Sequence, residues 1–244
     1  MNPIVVIPAR MAATRLPDKP LADIGGTPMI VRALRCAEAA GVGPVVVAAG
    51  DQVIVDVVRE AGGKAILTDP ALPSGTDRVR AALSDFDPAH DYDVVINLQG
   101  DMPFVAPHIL TAAVALFAAR PDLQMGTLIS REGSPADRTN PDVVKAIVAL
   151  GRRGDQGRCL YFTRSTLYGE GPVWRHIGVY GYRRGGLQAM SAPPSPLEKR
   201  EKLEQLRALE LDIDIWAAVV DAPPLSVDSP ADLEAARAYA RSLK

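Results

Sequence analysis

The sequence predicts an α/β fold, a mostly parallel twisted sheet flanked by helices, with a smaller antiparallel lobe. Three observations predict it. Short, wholly apolar runs such as Ile4–Ile7 and Val45–Ala49 read as strands buried on both faces, the habit of parallel sheets. Segments with helical apolar spacing separate these runs, as right-handed crossovers require. From about residue 125 to 185 the pattern changes to closely spaced strands around a polar tip at 151–157, which reads as an antiparallel addition at the sheet edge.

Bulk properties narrow the function classes. A chain of 244 residues, 48% of them hydrophobic, can bury a sizeable core in one large domain with a subdomain. The net charge of −2 supplies no global basic field, so nucleic acid is not an expected partner. No apolar run approaches the roughly 18 residues that a membrane span needs. The first residues already read as a strand, so no signal peptide is expected. Cys36 and Cys159 lie far apart with no metal-type spacing, as reduced thiols of a cytosolic protein would.

Taken in order, the strand at Ile4–Ile7 ends at Pro8, and a long connection carries Arg10, Arg15 and Lys19. In open α/β sheets ligands bind beyond the carboxyl ends of strands, and a polyanion there needs several cations. By spacing alone, solvated loop side chains explain these residues equally well. The loop is neither a Walker A sequence nor G-x-G-x-x-G. Gly25-Gly26-Thr27-Pro28 opens a helix to about Ala40, with Thr27 as N-cap and Pro28 at N1. Val45–Ala49 is the second strand, about 51–61 a helix, and Lys64–Leu67 the third strand. Leu72–Arg78 reads as a loop leading into a helix to about Phe86, with Asp77 favourable in its first turn. Tyr92–Leu98 is the fourth strand and ends in Gln99-Gly100-Asp101. An acid there is either a turn residue or a Mg²⁺ ligand, since Mg²⁺ takes one or two carboxylates plus substrate phosphates.

The apolar helix at 106–119 follows, with His108 near its start as a surface or capping residue. Strands are predicted at Met125–Ser130, up to Leu150, and at Arg158–Phe162, with a turn-rich loop over Arg131–Pro141. In Arg175–Arg183, alternation puts His176, Gly178, Tyr180 and Tyr182 on one face; such a set is ordinarily core or dimer contact. Ser195-Pro196-Leu197-Glu198 carries every part of a helix start, and the helix is predicted to run to about Leu211. Its Glu201, Glu204 and Gln205 read as a charged solvent face. A late strand at Ile213–Val220 precedes a final helix starting at Ser229-Pro230, with Asp228 just before it where the helix dipole favours an acid.

Several of these segments share one resemblance. Pro8-Ala9-Arg10, Thr14-Arg15-Leu16-Pro17, Lys19-Pro20-Leu21 and Gly26-Thr27-Pro28-Met29-Ile30 resemble the signature loop of sugar-acid cytidylyltransferases, most closely the CMP-Kdo synthetase (3-deoxy-manno-octulosonate cytidylyltransferase) family. The likeness runs from Ile4 to about Ala238. It implies a single nucleotidyltransferase domain over 1–244, of the Rossmann-like nucleotide-diphospho-sugar transferase type, with a sugar-binding and dimer-forming lobe at about 125–185. It implies that Arg10, Arg15 and Lys19 wrap the triphosphate of CTP, and that Ser74, Gly75, Thr76 and Arg78 form the base loop. Asp101 and Asp228 become Mg²⁺ ligands, and Arg10, Lys19, Asp101 and Asp228 the catalytic set. Gln99, Arg164, His176, Tyr180, Glu204 and Gln205 become sugar contacts. The implied partners are CTP and a 3-deoxy-octulosonate sugar acid, in a cytoplasmic homodimer. The sequence departs from the family pattern where Met102 replaces the usual Glu, where only Leu167–Trp174 stand in place of a longer loop, and in Val-Asp-Ser-Pro for Val-Asp-Thr-Pro.

Other readings compete. A cytidylyltransferase for sialic acid or an amino-substituted Kdo would share the CTP loop and the metal pair. A glycosyltransferase on a similar sheet would be expected to carry Asp-x-Asp after the central strand, where this chain has Gln99-Gly100-Asp101. A non-enzymatic nucleotide sensor would need neither both acids nor a polar sugar pocket.

Overall fold

The computed structural model describes residues 1–12, 15–131 and 134–243. Thr14 of the cation loop, and Glu132 and Gly133 of the predicted 131–141 loop, fall outside them. The chain divides into two compact units, Met1–Thr111 with Pro224–Lys244, and Ala112–Pro223.

The first unit begins with β1 (Pro3–Ala9), α1 (Met29–Ala39), β2 (Val45–Ala49), α2 (Gln52–Glu60), β3 (Ala65–Leu67), α3 (Gly75–Phe86) and β4 (Val94–Asn97). Its strands lie in the order β3-β2-β1-β4, and every neighbouring pair is parallel. Val5 sits between Val45 on one side and Ile96 on the other. Ile4, Val5, Val6 and Ile7 are fully buried, because a central parallel strand has helices over both faces. The chain steps outward from β1 through β2 to β3, then returns to the far side of β1 as β4. The carboxyl ends of β1 and β4 therefore flank a topological switch point, where open α/β sheets bind ligands.

Two helix starts differ from the sequence-based expectation. Thr27 does not cap α1. Its carbonyl accepts the Ile24 N–H at 3.0 Å, closing a turn through Gly25 and Gly26, whose φ of 64° and 86° suit glycine; Pro28 is the N-cap. The helix expected after Arg78 already begins at Gly75, because the Ser74 hydroxyl accepts the Asp77 N–H at 3.1 Å.

Next comes α4 (Pro107–Ala119), within which the division at Thr111 falls. The second unit carries β5 (Met125–Arg131), β6 (Lys145–Leu150), β7 (Gln156–Thr163), β8 (Trp174–Arg183), α5 (Arg184–Ala189), α6 (Pro196–Glu201), α7 (Leu206–Glu210) and β9 (Ile215–Val219). The strands run β8-β5-β9-β7-β6, and β6 also pairs with β8, so they close on themselves. β5 and β9 are parallel; β5–β8, β6–β7, β6–β8 and β7–β9 are antiparallel. Opposite β5 the register jumps from Ile177 to Tyr180, so Gly178 and Val179 bulge out. Two extra residues restore the phase. His176, Tyr180 and Tyr182 therefore keep one face, with ring centroids 5.4 and 6.1 Å apart along the row.

The single helix expected over 195–211 is two. The Ser195–Glu198 capping box forms, but Lys202 adopts a left-handed conformation (φ 56°, ψ 46°) and ends α6. Arg207 in α7 reaches back with two bonds to Glu198, 2.7 and 2.6 Å long, and so fastens the corner. The break moves Gln205 from a solvent face to 3% exposure. The chain then returns to the first unit as α8 (Pro230–Ser242), opened by a capping box between Ser229 and Asp232.

Candidate active site

In the first unit, a cleft of about 240 Å³ opens at the switch point. Pro8, Ala9 and Arg10 enter it from β1, Gln99, Gly100 and Asp101 from the end of β4, and Ser74, Gly75 and Arg78 from the start of α3. Two glycines keep these strand ends close. A Cβ at Gly100 would lie 3.1 Å from the Pro8 carbonyl oxygen, and one at Gly50 only 2.8 Å from Arg78 Nη1. The cation loop is pinned at both ends. The Met11 N–H donates to Asp51 Oδ2 at 2.7 Å, and Leu16, Ile24 and Met29 pack with Val227, Leu233 and Ala236 in one apolar cluster. The same cluster brings in the end of the chain, where the Val227 N–H donates to the Asp101 carbonyl at 2.9 Å.

That packing assembles the proposed reactive set. Lys19, in a short 3-10 turn, donates through Nζ to Asp101 Oδ2 at 2.7 Å and to Asp228 Oδ1 at 2.9 Å. Arg15, largely exposed, donates to the same Asp228 oxygen at 3.1 Å. Burial opposes the Lys19 charge, but Asp101 and Asp228 outweigh it and hold the ammonium above its ordinary pKa. Burial raises the Asp101 pKa, with Lys19 opposing and Asp228 adding to the rise. A bare carboxylate is thus disfavoured at Asp101 unless a cation stands beside it. Arg10 lines the cleft without a hydrogen bond or ion pair to any described residue. Arg78 is 2% exposed, and its guanidinium donates to the Thr68 hydroxyl and to the Asp69 and Pro70 carbonyls. It therefore anchors the loop before α3. Thr76 is buried and lies outside the cleft lining among the described residues. Gln99 lines the cleft, and its amide donates to Asn97.

Among the described residues no group of three or more His, Cys, Asp and Glu side chains could hold a metal. Two carboxylates aimed at one cationic atom are nevertheless the share that Mg²⁺ usually asks of a protein, with phosphates and water completing the shell. Asp101 and Asp228 fit that ion.

The remaining candidates lie in the second unit. Thr127 Oγ1 is 3.0 Å from His176 Nε2 and also within reach of the Ile177 and Val179 carbonyls. A hydroxyl has one proton, and the carbonyls only accept. The proton therefore goes to a carbonyl, and His176 donates from Nε2–H, leaving Nδ1 as an acceptor. Burial, with Arg164 nearby, lowers the His176 pKa to about 3, so the ring is neutral. Burial, then Tyr182 and Glu204, push the Tyr180 pKa well up. Its hydroxyl stays protonated and donates to Gln205 Oε1 at 3.1 Å. Gln205 Nε2 is buried and has no partner among the described residues. Arg164 donates to the Pro141 carbonyl, while the fully buried Lys145 ties the Asn140 and Arg164 carbonyls at 2.8 Å each. Sequence reasoning missed Thr127, for which the signal available was a polar residue inside an otherwise buried strand pattern; Lys145 stands in the segment Asn140–Lys145 that resembles the family, without a role assigned to it from sequence.

Comparison with known proteins identifies the family. A family model described as cytidylyltransferase matches residues 4–215. A 3-deoxy-manno-octulosonate cytidylyltransferase of Rhodospirillum rubrum is 56% identical over 97% of this chain and 94% of its own. One of Parvibaculum lavamentivorans is 56% identical over 97% and 92%. A solved structure of CMP:2-keto-3-deoxy-manno-octonic acid synthetase complexed with CTP is 37% identical and superposes with a TM-score of 0.90, covering 100% of both chains. The α/β nucleotidyltransferase fold is thus shared along the whole chain, and the chain belongs to the 3-deoxy-manno-octulosonate cytidylyltransferase (CMP-Kdo synthetase) family.

Proposed function

We propose that this chain transfers CMP from CTP to the anomeric hydroxyl of Kdo, giving CMP-Kdo and pyrophosphate for lipopolysaccharide synthesis. The observation that carries the reading is the cleft at the β1–β4 switch point, where Arg10, Lys19 and Asp101 meet, in a chain of this family. The hydroxyl oxygen forms a bond to the α-phosphorus and gives up its proton to solvent water. The bond to the bridging oxygen breaks, and pyrophosphate leaves with its electron pair. Arg10, Arg15 and Lys19 offset the charge of the β- and γ-phosphates. Asp101 and Asp228 would hold Mg²⁺, which when bound supplies charge stabilisation to phosphate oxygens. Ser74 and Gly75 at the start of α3 hold the base, with Thr76 buried outside the cleft lining, and Arg78 holds their loop.

In the second unit, Gln205 offers two buried amide donors and His176 offers Nδ1, a pairing suited to hydroxyl and carboxylate groups of a sugar acid. Arg164 supplies a cation and Glu204 an acceptor. A site built on such partners rejects a substrate that lacks them. Sugar recognition is accordingly assigned to the second unit, and dimer formation to the lobe at about 125–185 by the family resemblance. Cytoplasmic location and a homodimer belong to the same proposal and rest on the family resemblance.

The test is pyrophosphate release with CTP and Mg²⁺, run in parallel with Kdo, its 8-amino analogue and a sialic acid. Release with Kdo alone is expected. Release with an analogue alone moves the specificity, and no release from folded, CTP-binding protein overturns the reading.

A further inference from the structure

Lys19 has a geometric consequence for metal binding. Its Nζ stands 2.7 Å from Asp101 Oδ2 and 2.9 Å from Asp228 Oδ1, so one ammonium already occupies the point on which both carboxylates converge. Mg²⁺ needs oxygens at about 2.0–2.1 Å, and an ion that close to both oxygens would claim the space the ammonium fills. A metal bridging these same two oxygens and the ammonium exclude each other. The backbone around Lys19 is fixed by Pro20, which is buried, and by the cluster of Leu16 and Ile24 with Val227. The side chain is a compact charge on a flexible stem, and it also lines the cleft beside Arg10.

We propose that Lys19 is an internal stand-in for the divalent cation: it closes the Asp101–Asp228 pair in the free enzyme and leaves only when a nucleotide triphosphate offers it other anions. This rests on Asp101 and Asp228 being the metal pair. Without nucleotide, the ion faces two carboxylates whose charge is already partly neutralised. With nucleotide, the phosphates draw the ammonium into the cleft, the pair regains its full charge, and the metal and the triphosphate arrive together. Lys19 thereby orders the binding events and keeps the half-buried Asp101 carboxylate partnered before substrate arrives. Arg15 does not perform this task. Among the described residues its bond is to Asp228 alone, and it is exposed.

The experiment titrates the full-length chain with Mn²⁺ and counts free ion by electron paramagnetic resonance, a readout independent of turnover. Wild type without nucleotide is expected to bind Mn²⁺ weakly. Lys19→Met, which keeps the stem and removes the charge, is expected to bind nucleotide-free Mn²⁺ at least about tenfold more tightly, given the strength of close charge interactions in partly buried sites. Adding Asp228→Asn to Lys19→Met should abolish that gain. Lys19→Gln serves if the Met variant does not fold. Equal affinity in wild type and the Lys19 variants overturns the proposal, as does tight nucleotide-free binding by wild type. The underlying metal assignment fails separately if, with CTP present, wild type retains no more Mn²⁺ than Asp228→Asn.

Discussion

Replacing His176 with Gln should flatten the acid sensitivity of the second unit. His176 has an ordinary pKa of 6.5, lowered to about 3 in the fold by burial and by Arg164. Between those values the unfolded chain carries a proton that the folded chain refuses. Stability therefore rises with pH through this window, is fully present above 6.5, and is lost as pH falls toward 3. The limiting slope is about 1.4 kcal/mol per pH unit for one proton. Integrated between pH 7 and pH 5, His176 accounts for a loss of about 2 kcal/mol. Gln cannot titrate, so the variant should lose about 2 kcal/mol less than wild type over the same interval. The assay is urea unfolding followed by tryptophan fluorescence. Trp174 and Trp216 are the two tryptophans of the chain, and both lie in Ala112–Pro223, so the signal reports this unit. His90 and His108 are present in both proteins and cancel in the difference. Equal pH-dependent losses would refute the reasoning, because they would mean that His176 takes up its proton in the folded state as readily as in the unfolded one.

Two further substitutions probe the geometry. Gly50→Ala places a methyl 2.8 Å from Arg78 Nη1 and 3.1 Å from Arg10 Cβ, so the KM for CTP should rise by about fivefold or more, as small misplacements of binding groups do; steady-state kinetics with an unchanged KM for CTP would exclude the strut. Lys202→Gly relieves a left-handed backbone whose strain of about 1–2 kcal/mol exceeds the entropy a glycine adds. It should stabilise the second unit by about 0.5–1 kcal/mol in the same urea assay, and a net destabilisation would contradict this.

Much of the fold was legible because local patterns carried it. The apolar run Ile4–Ile7 had no other stable place than a buried strand, and the Ser-Pro pairs at 195–196 and 229–230 announced helix starts that form as capping boxes. The α3 start was also legible in Ser74 and Asp77, although those residues read as loop. The break at Lys202 was not. No Gly or Pro marks it, the charged pattern runs on through Arg207, and the bend exists because Arg207 meets Glu198 across a corner that only tertiary packing supplies. The bulge at Gly178–Val179 follows from the register of β5, a partner that β8 does not encode by itself.

By itself the sequence determined the classes of group available: three cations after the first strand, an acid after the fourth, another acid before the last helix, and a His and Tyr on one strand face. Residue types and their spacing are local, and so is the chemistry they permit. Only the tertiary structure decided which of them share an atom's surroundings. Lys19 lies 82 residues from Asp101 and 209 from Asp228, and what brings the three together is the apolar packing of Leu16 and Ile24 against Val227 and Leu233. Likewise, the two carbonyls at the Thr127 hydroxyl leave His176 Nε2 the donor's part, and the break at Lys202 turned Gln205 from a solvated side chain into a buried donor. Distances between segments far apart in sequence come from the sum of many weak contacts, which no single stretch of chain contains.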